Sequence, residues 1–209
     1  MAEHKISDKR ERMLMSALDV FVRNGYVGTS TDQLAAAARV SKQTLYREFG
    51  DKEGVFESLI RFACQRVEDP FAPMVARMRE CESAEEALQI LAGQFTRSIM
   101  DARIQRLRRL VIAEAVRFPQ LGRMYWEGGF QRMLVSIEQC LAVLDARKLL
   151  SITDPALAAQ HFAGMLLWIP GNRAMFDAEA LLPDEEELDA ISASGVAAFL
   201  RAYAPTSSL

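Results

Sequence analysis

Apolar residues recur at intervals of three and four along almost the whole of this 209-residue chain, and no stretch alternates apolar with polar residues over the length of a strand. That pattern confines the fold to helices packed by one face, because a 3.6-residue period gathers such positions into a single stripe. The dipeptide most typical of a tight hairpin occurs once, at Asn24-Gly25, and there it follows a helical stripe made by Met13, Leu14, Ala17, Leu18, Phe21 and Val22. It reads as a left-handed helix stop. The expected fold is all-α.

Capping signals divide the chain further. A first helix is expected over Ser7–Arg23. A second, short one begins at Ser30, with Gln33 three positions on completing a capping box and Leu34, Ala35 and Ala38 facing inward. A third starts at Ser41, buries Leu45 and Phe49, and stops at Gly50-Asp51. From Lys52 a long fourth helix runs until Asp69-Pro70. Further helices are expected over Pro73–Arg79, Ser83–Met100 and Ala102–Arg117, followed by a short segment to Gly128-Gly129. The last three cover Phe130–Arg147, Asp154–Ile169 and Asp184–Tyr203, with Pro205–Leu209 a frayed tail.

Half the residues are apolar, enough to bury at least one sizeable core. The formal charge is only -3, so a nucleic-acid site has to be local; the first 52 residues hold nine basic and seven acidic side chains, leaving the acidic excess to the remainder. The polar opening lacks a signal-peptide core and no apolar run spans a bilayer, which makes a cytoplasmic protein without membrane contact the expectation. Cys64, Cys81 and Cys140 show neither disulfide nor zinc spacing, so no metal or other cofactor is expected. With His4 and His161 as the two histidines, and without a phosphate loop or nucleophile elbow, an enzyme is not expected.

The segment from Ser30 to Gly50 holds two short helices joined by a tight turn, the second opening with polar side chains, which is the layout of a helix-turn-helix DNA reader. Its wording is specific. Gly25-Tyr26, Thr29-Ser30-Thr31, Leu34-Ala35, Val40-Ser41, Thr44-Leu45-Tyr46, Phe49 and Lys52-Glu53 resemble the N-terminal signature of the TetR family of regulators, and LVIAEAVRFPQLGRMYW, around Leu110 to Trp126, resembles the ligand domain of an AefR-like branch. The resemblance implies a helix-turn-helix domain over residues 1–53 and a helical ligand-binding and dimerisation domain over residues 54–209. It implies a homodimer that reads a palindromic operator in double-stranded DNA, represses, and is released by a small, largely apolar inducer.

By the same resemblance Ser30, Thr31, Lys42, Gln43, Thr44, Tyr46, Arg47 and Lys52 fall where the family contacts DNA. Their chemistry suits two tasks. The hydroxyls of Ser30, Thr31, Thr44 and Tyr46 and the charge of Lys52 fit phosphates, whereas Lys42 and Gln43 at the exposed start of the third helix fit base edges. The plainer alternative keeps Tyr46 as an internal packing group and the charges as solvated surface. Two positions depart from the family pattern: Arg39 stands where Gly is common in the turn, and Gln43 where Gly is common on the reading helix, extending readout or crowding the groove.

In the body, Phe95, Val111, Phe118, Trp126, Phe130, Met165 and Trp168, with Arg108 and Tyr125 as polar anchors, are the candidate effector-binding residues; ordinary core is the alternative for the apolar ones. The last two long helices are the expected dimer face, through Ala156, Ala159, Phe162, Ala163, Leu166, Leu167, Ile191, Ala197, Phe199 and Leu200. Two other functions stay open on sequence grounds: a regulator of the same build that senses oxidants through its thiols, and a helical scaffold for protein partners.

Overall fold

The computed structural model describes residues 2–66, 72–177, 179 and 181–205, and among these every regular element is helical. The helices are α1 (Ala2–Gly28), α2 (Thr31–Ala37), α3 (Lys42–Phe49), α4 (Lys52–Arg66), α5 (Ala72–Glu80), α6 (Ala84–Met100), α7 (Ala102–Glu114), α8 (Pro119–Tyr125), α9 (Arg132–Ala146), α10 (Pro155–Phe176) and α11 (Glu185–Tyr203), with a π-helical turn over Trp126–Gln131. The expected end of α4 at Asp69-Pro70 and most of the expected tail lie outside the described residues.

The caps form where the sequence put them. Ser30 and Gln33 make a reciprocal box on α2, Ser41 accepts from the Thr44 amide, and Asp184 and Glu187 make a second box on α11. At α6, Ser83 accepts from the Glu86 amide, while Glu86 reaches back to the Glu82 amide. Several boundaries differ from expectation, among them the end of α7, at Glu114 rather than Arg117. α1 begins earlier and resumes after a kink at Gly25, whose φ of 66° only a residue without Cβ adopts cheaply. The segment after Phe118 is helical, because Pro119 starts a helix at its first position rather than ending one. α10 continues through Pro170 to Phe176, its later residues Gly171 and Ala174 being buried.

The chain divides into two compact units, with the boundaries falling inside α7, after Gln105, and inside the π-turn, after Gly129. The first unit joins α1–α4 with Arg106–Gly129. Its core is aromatic at the centre: Phe56 of α4 lies 5.2 Å from both Phe21 and Tyr26, and Phe118 meets Tyr26 edge-on at 4.7 Å. Leu34, Leu45, Leu59, Leu107 and Val111 close around it. Gly54 lets α4 start hard against α3, since a Cβ there would fall on the Phe49 carbonyl.

The second unit is a bundle of α5, α6, α9, α10 and α11 with the start of α7. Leu88, Leu91 and Phe95 of α6, Ile137, Cys140 and Leu141 of α9, Ala159, Phe162 and Leu166 of α10, and Val196 and Phe199 of α11 fill its core. Arg147 ties it off by donating to the Met78 and Cys81 carbonyls.

Candidate nucleic-acid interface

α3 is a short helix with two unlike faces. Leu45 and Phe49, one turn apart, are buried in the first core, while Lys42, Gln43, Tyr46 and Arg47 project outward. The helix is held at its start by the Ser41 cap, whose hydroxyl also lies 2.9 Å from the Thr44 hydroxyl. Ahead of it, the turn depends on Arg39, which adopts φ 54° in the left-handed region that glycine favours. A non-glycine residue there costs on the order of 1 kcal/mol.

α2 braces this helix through polar contacts. The Lys42 ammonium meets the Asp32 carboxylate at 3.0 Å, a contact that raises the lysine pKa above its ordinary value, and Thr31 and Tyr46 hydroxyls lie 3.5 Å apart. Lys42 thus stays charged and pre-positioned. Arg47 reaches Glu48 at 3.4 Å with most of its side chain still exposed. Each hydroxyl used in a cap accepts there, so Ser30 retains its own proton to donate outward.

The structure gives Lys52, expected at a phosphate, partners within its own unit. Its ammonium donates to the Tyr26 and Thr29 carbonyls at 2.8 Å each and to the Val27 carbonyl at 3.5 Å, and it lies 4.5 Å from the Tyr26 ring centre. Gly25 leaves those carbonyls pointing together, and the lysine neutralises them. The first turn of α4 is likewise occupied, since Asp51 accepts from the Gly54 amide. Nothing in the linear sequence marked that carbonyl cluster. Asp32 was missed too, although its position ten residues before Lys42 on the preceding helix was a usable signal.

The candidate effector residues separate. Val111 and Phe118 are core of the first unit and Phe95 is core of the second, so these three act as packing. Phe130 is half-buried against the second core. Met165 and Trp168 lie on the outward face of α10, exposed by 44% and 69%, rather than around an enclosed cavity. Trp126 is exposed. Arg108 and Tyr125 stay together in the first unit, where the cation acts on the phenol. Of the residues named for the dimer face, Ala159, Phe162, Ala163, Leu166, Leu167 and Phe199 are buried in their own chain, Ile191 and Leu200 are half-buried, and Ala156 and Ala197 are exposed; the large exposed apolar residues of α10 include Leu157, Met165, Trp168 and Ile169.

A family model of the N-terminal domain, described as bacterial regulatory proteins of the tetR family, matches residues 14–59, and one described as the AefR-like transcriptional repressor C-terminal domain matches residues 86–205. The chain belongs to the TetR family. Among solved TetR-family structures, a putative regulator from Mesorhizobium loti MAFF303099 is 39% identical, with a TM-score of 0.86 over 95% of this chain and 98% of that one. The Flavonoid-responsive Regulator FrrA is 27% identical, with a TM-score of 0.71 over 96% of this chain and 100% of its own. Among curated proteins, the Uncharacterized HTH-type transcriptional regulator YvkB of Bacillus subtilis (strain 168) is 38% identical over 50 residues, 24% of this chain and 26% of that protein. That stretch is about a quarter of YvkB's length.

TetR-family proteins are transcriptional regulators, not enzymes. All three cysteines are buried, no disulfide joins them, and burial pushes the Cys81 thiol above its ordinary pKa; nothing favours thiol-based sensing. No helix among the described residues is long and apolar enough to cross a membrane.

Proposed function

We infer that the chain works in the cytoplasm as a homodimeric repressor, gripping a two-fold symmetric operator with paired α3 helices and letting go when a small apolar effector binds. The observation that carries this reading is the outward row of Lys42, Gln43, Tyr46 and Arg47 on a helix anchored by Leu45 and Phe49. One such helix reads few base pairs, so specificity calls for two half-sites about one helical turn apart. The exposed stripe of Leu157, Met165, Trp168 and Ile169 on α10, beside the small exposed residues Ala190 and Ala197 of α11, is the surface that a second copy would cover.

Release needs a route from effector to α3, and the first unit contains one. The Tyr26 amide donates to the Glu114 carboxylate at 3.4 Å, Arg117 lies over the Tyr26 ring, and Phe118 opens α8 while packing on Tyr26 and Phe56. A shift of α7 and α8 therefore pulls on the end of α1, to which Lys52 ties α4. A coupling of about 1–3 kcal/mol gives a 5- to 150-fold change in operator affinity.

The test is selection of bound duplexes from a random pool, followed by titration at rising salt. A palindromic site whose affinity falls steeply with salt is expected. Indifference to every duplex at low ionic strength would overturn the reading.

A further inference from the structure

Lys42 is the first helical residue of α3, at the end where the helix's own amides already carry positive charge, and no acid stands in the first turn of α3 to offset it. The offset comes from the preceding helix. Asp32, in the first turn of α2, holds the ammonium with both carboxylate oxygens, at 3.0 and 3.1 Å. The two helices are fixed against each other, because Leu34 of α2 and Leu45 of α3 are buried in one core and the Thr31 and Tyr46 hydroxyls lie 3.5 Å apart. An exposed ion pair adds little to stability, so the weight of this one falls on what α3 binds.

The other cation of the outward row is held differently. Arg47 meets a single oxygen of Glu48 at 3.4 Å, and 69% of its side chain is exposed, against 46% for Lys42. Arg47 leaves its acid for a phosphate at small cost. A phosphate that captured the Lys42 ammonium would instead strip Asp32 and leave a bare carboxylate facing the polyanion, which cancels most of what the new contact gains. A base acceptor asks for less. An ammonium has three protons, so Lys42 can keep its carboxylate and still donate to guanine O6 or N7 in the major groove.

We propose that Asp32 is a specificity-determining residue, which reserves the Lys42 ammonium for a guanine acceptor on a base edge and withholds it from phosphates. The assignment rests on the operator-reading role of α3 and deepens it, by placing part of the selectivity on α2. Asp32 acts through Lys42 as a positioning residue. It is also the repulsive element against every duplex that fails to present the acceptor, so it lowers affinity for the wrong sequence more than it raises affinity for the right one.

The test titrates the full chain, at rising salt, on the duplex recovered from the random pool and on a random-sequence duplex of equal length. D32N should raise random-duplex affinity about eightfold near 0.1 M salt and steepen the salt slope by about one, the effect of one added phosphate contact. Affinity for the recovered duplex should change by less than about threefold, so the ratio between the two falls. D32N and K42A should flatten the preference at the same base pair, and D32E, which keeps a carboxylate, should leave random-duplex binding near that of the wild type. In a K42A background D32N should gain less than about twofold, because no ammonium is left to release. An equal gain in that background would mean a general charge effect and would overturn the assignment. So would a D32N protein that binds both duplexes more weakly and melts lower, which is what a purely structural role predicts. Wild-type selectivity that survives D32N removes this inference alone, whereas wild-type protein that ignores every duplex removes the operator reading and this inference with it.

Discussion

α3 and α10 present opposite problems to a reader of sequence. On α3 one face is Leu45 and Phe49 and the other is Lys42, Gln43, Tyr46 and Arg47, so polarity alone orients the helix. On α10 both faces are apolar: Ala159, Phe162, Ala163 and Leu166 point in, while Leu157, Met165, Trp168 and Ile169 point out. A helix that is hydrophobic all round has two surfaces to bury, and one chain buries only one of them. The lesson is that amphipathic contrast encodes orientation, and its absence encodes a need for a second partner.

That contrast can be broken at its strongest point first. Phe162 is fully buried, and F162A should cost about 3–5 kcal/mol in denaturant melts while native protein keeps its oligomeric state. Dissociation without loss of chain stability would reverse the two faces of α10. W168E should do the opposite, moving chain stability by less than about 0.5 kcal/mol. It should yield monomers in sedimentation and lower operator affinity about a hundredfold, as linked half-sites are lost. A W168E protein that stays dimeric would remove the outer stripe from the interface.

On α3 the comparison sharpens at single contacts. R47A should weaken binding to all duplexes alike and lower the salt slope by about one; Q43A should cost about 1–3 kcal/mol at one base pair and little elsewhere. Equal profiles for the two variants would erase the division between positioning and reading. The smallest effect belongs to the turn. R39G should stabilise the first unit by up to about 1 kcal/mol in thermal melts, by relieving a left-handed arginine. A loss of stability would mean that the arginine side chain contributes more than its backbone costs.

Local chemistry was the most legible part of the chain. The Ser30–Gln33 and Asp184–Glu187 boxes and the Ser41 cap involve residues three apart, and the sequence states them outright. Ambiguity entered where one residue type has two uses. Pro119, just past the helix expected to end at Arg117, opens α8; the helix expected to end at Ile169 continues through Pro170, with Gly171 and Ala174 buried beyond it. Non-local arrangements were invisible. The carbonyls around Lys52 converge only once Gly25 has kinked α1.

The packing of Phe118, Leu107 and Val111 into the same core as Phe21 and Phe56 bears on how this protein can be cut and recombined. A chimera made by transplanting residues 1–53 onto a foreign body would leave behind Phe56, Glu114, Arg117 and Phe118, all of which meet Tyr26, and the graft would arrive with its hydrophobic centre open. The transferable cassette is discontinuous: it must bring Arg106–Gly129 along with the first four helices, or find a host whose own residues fill the same hollow.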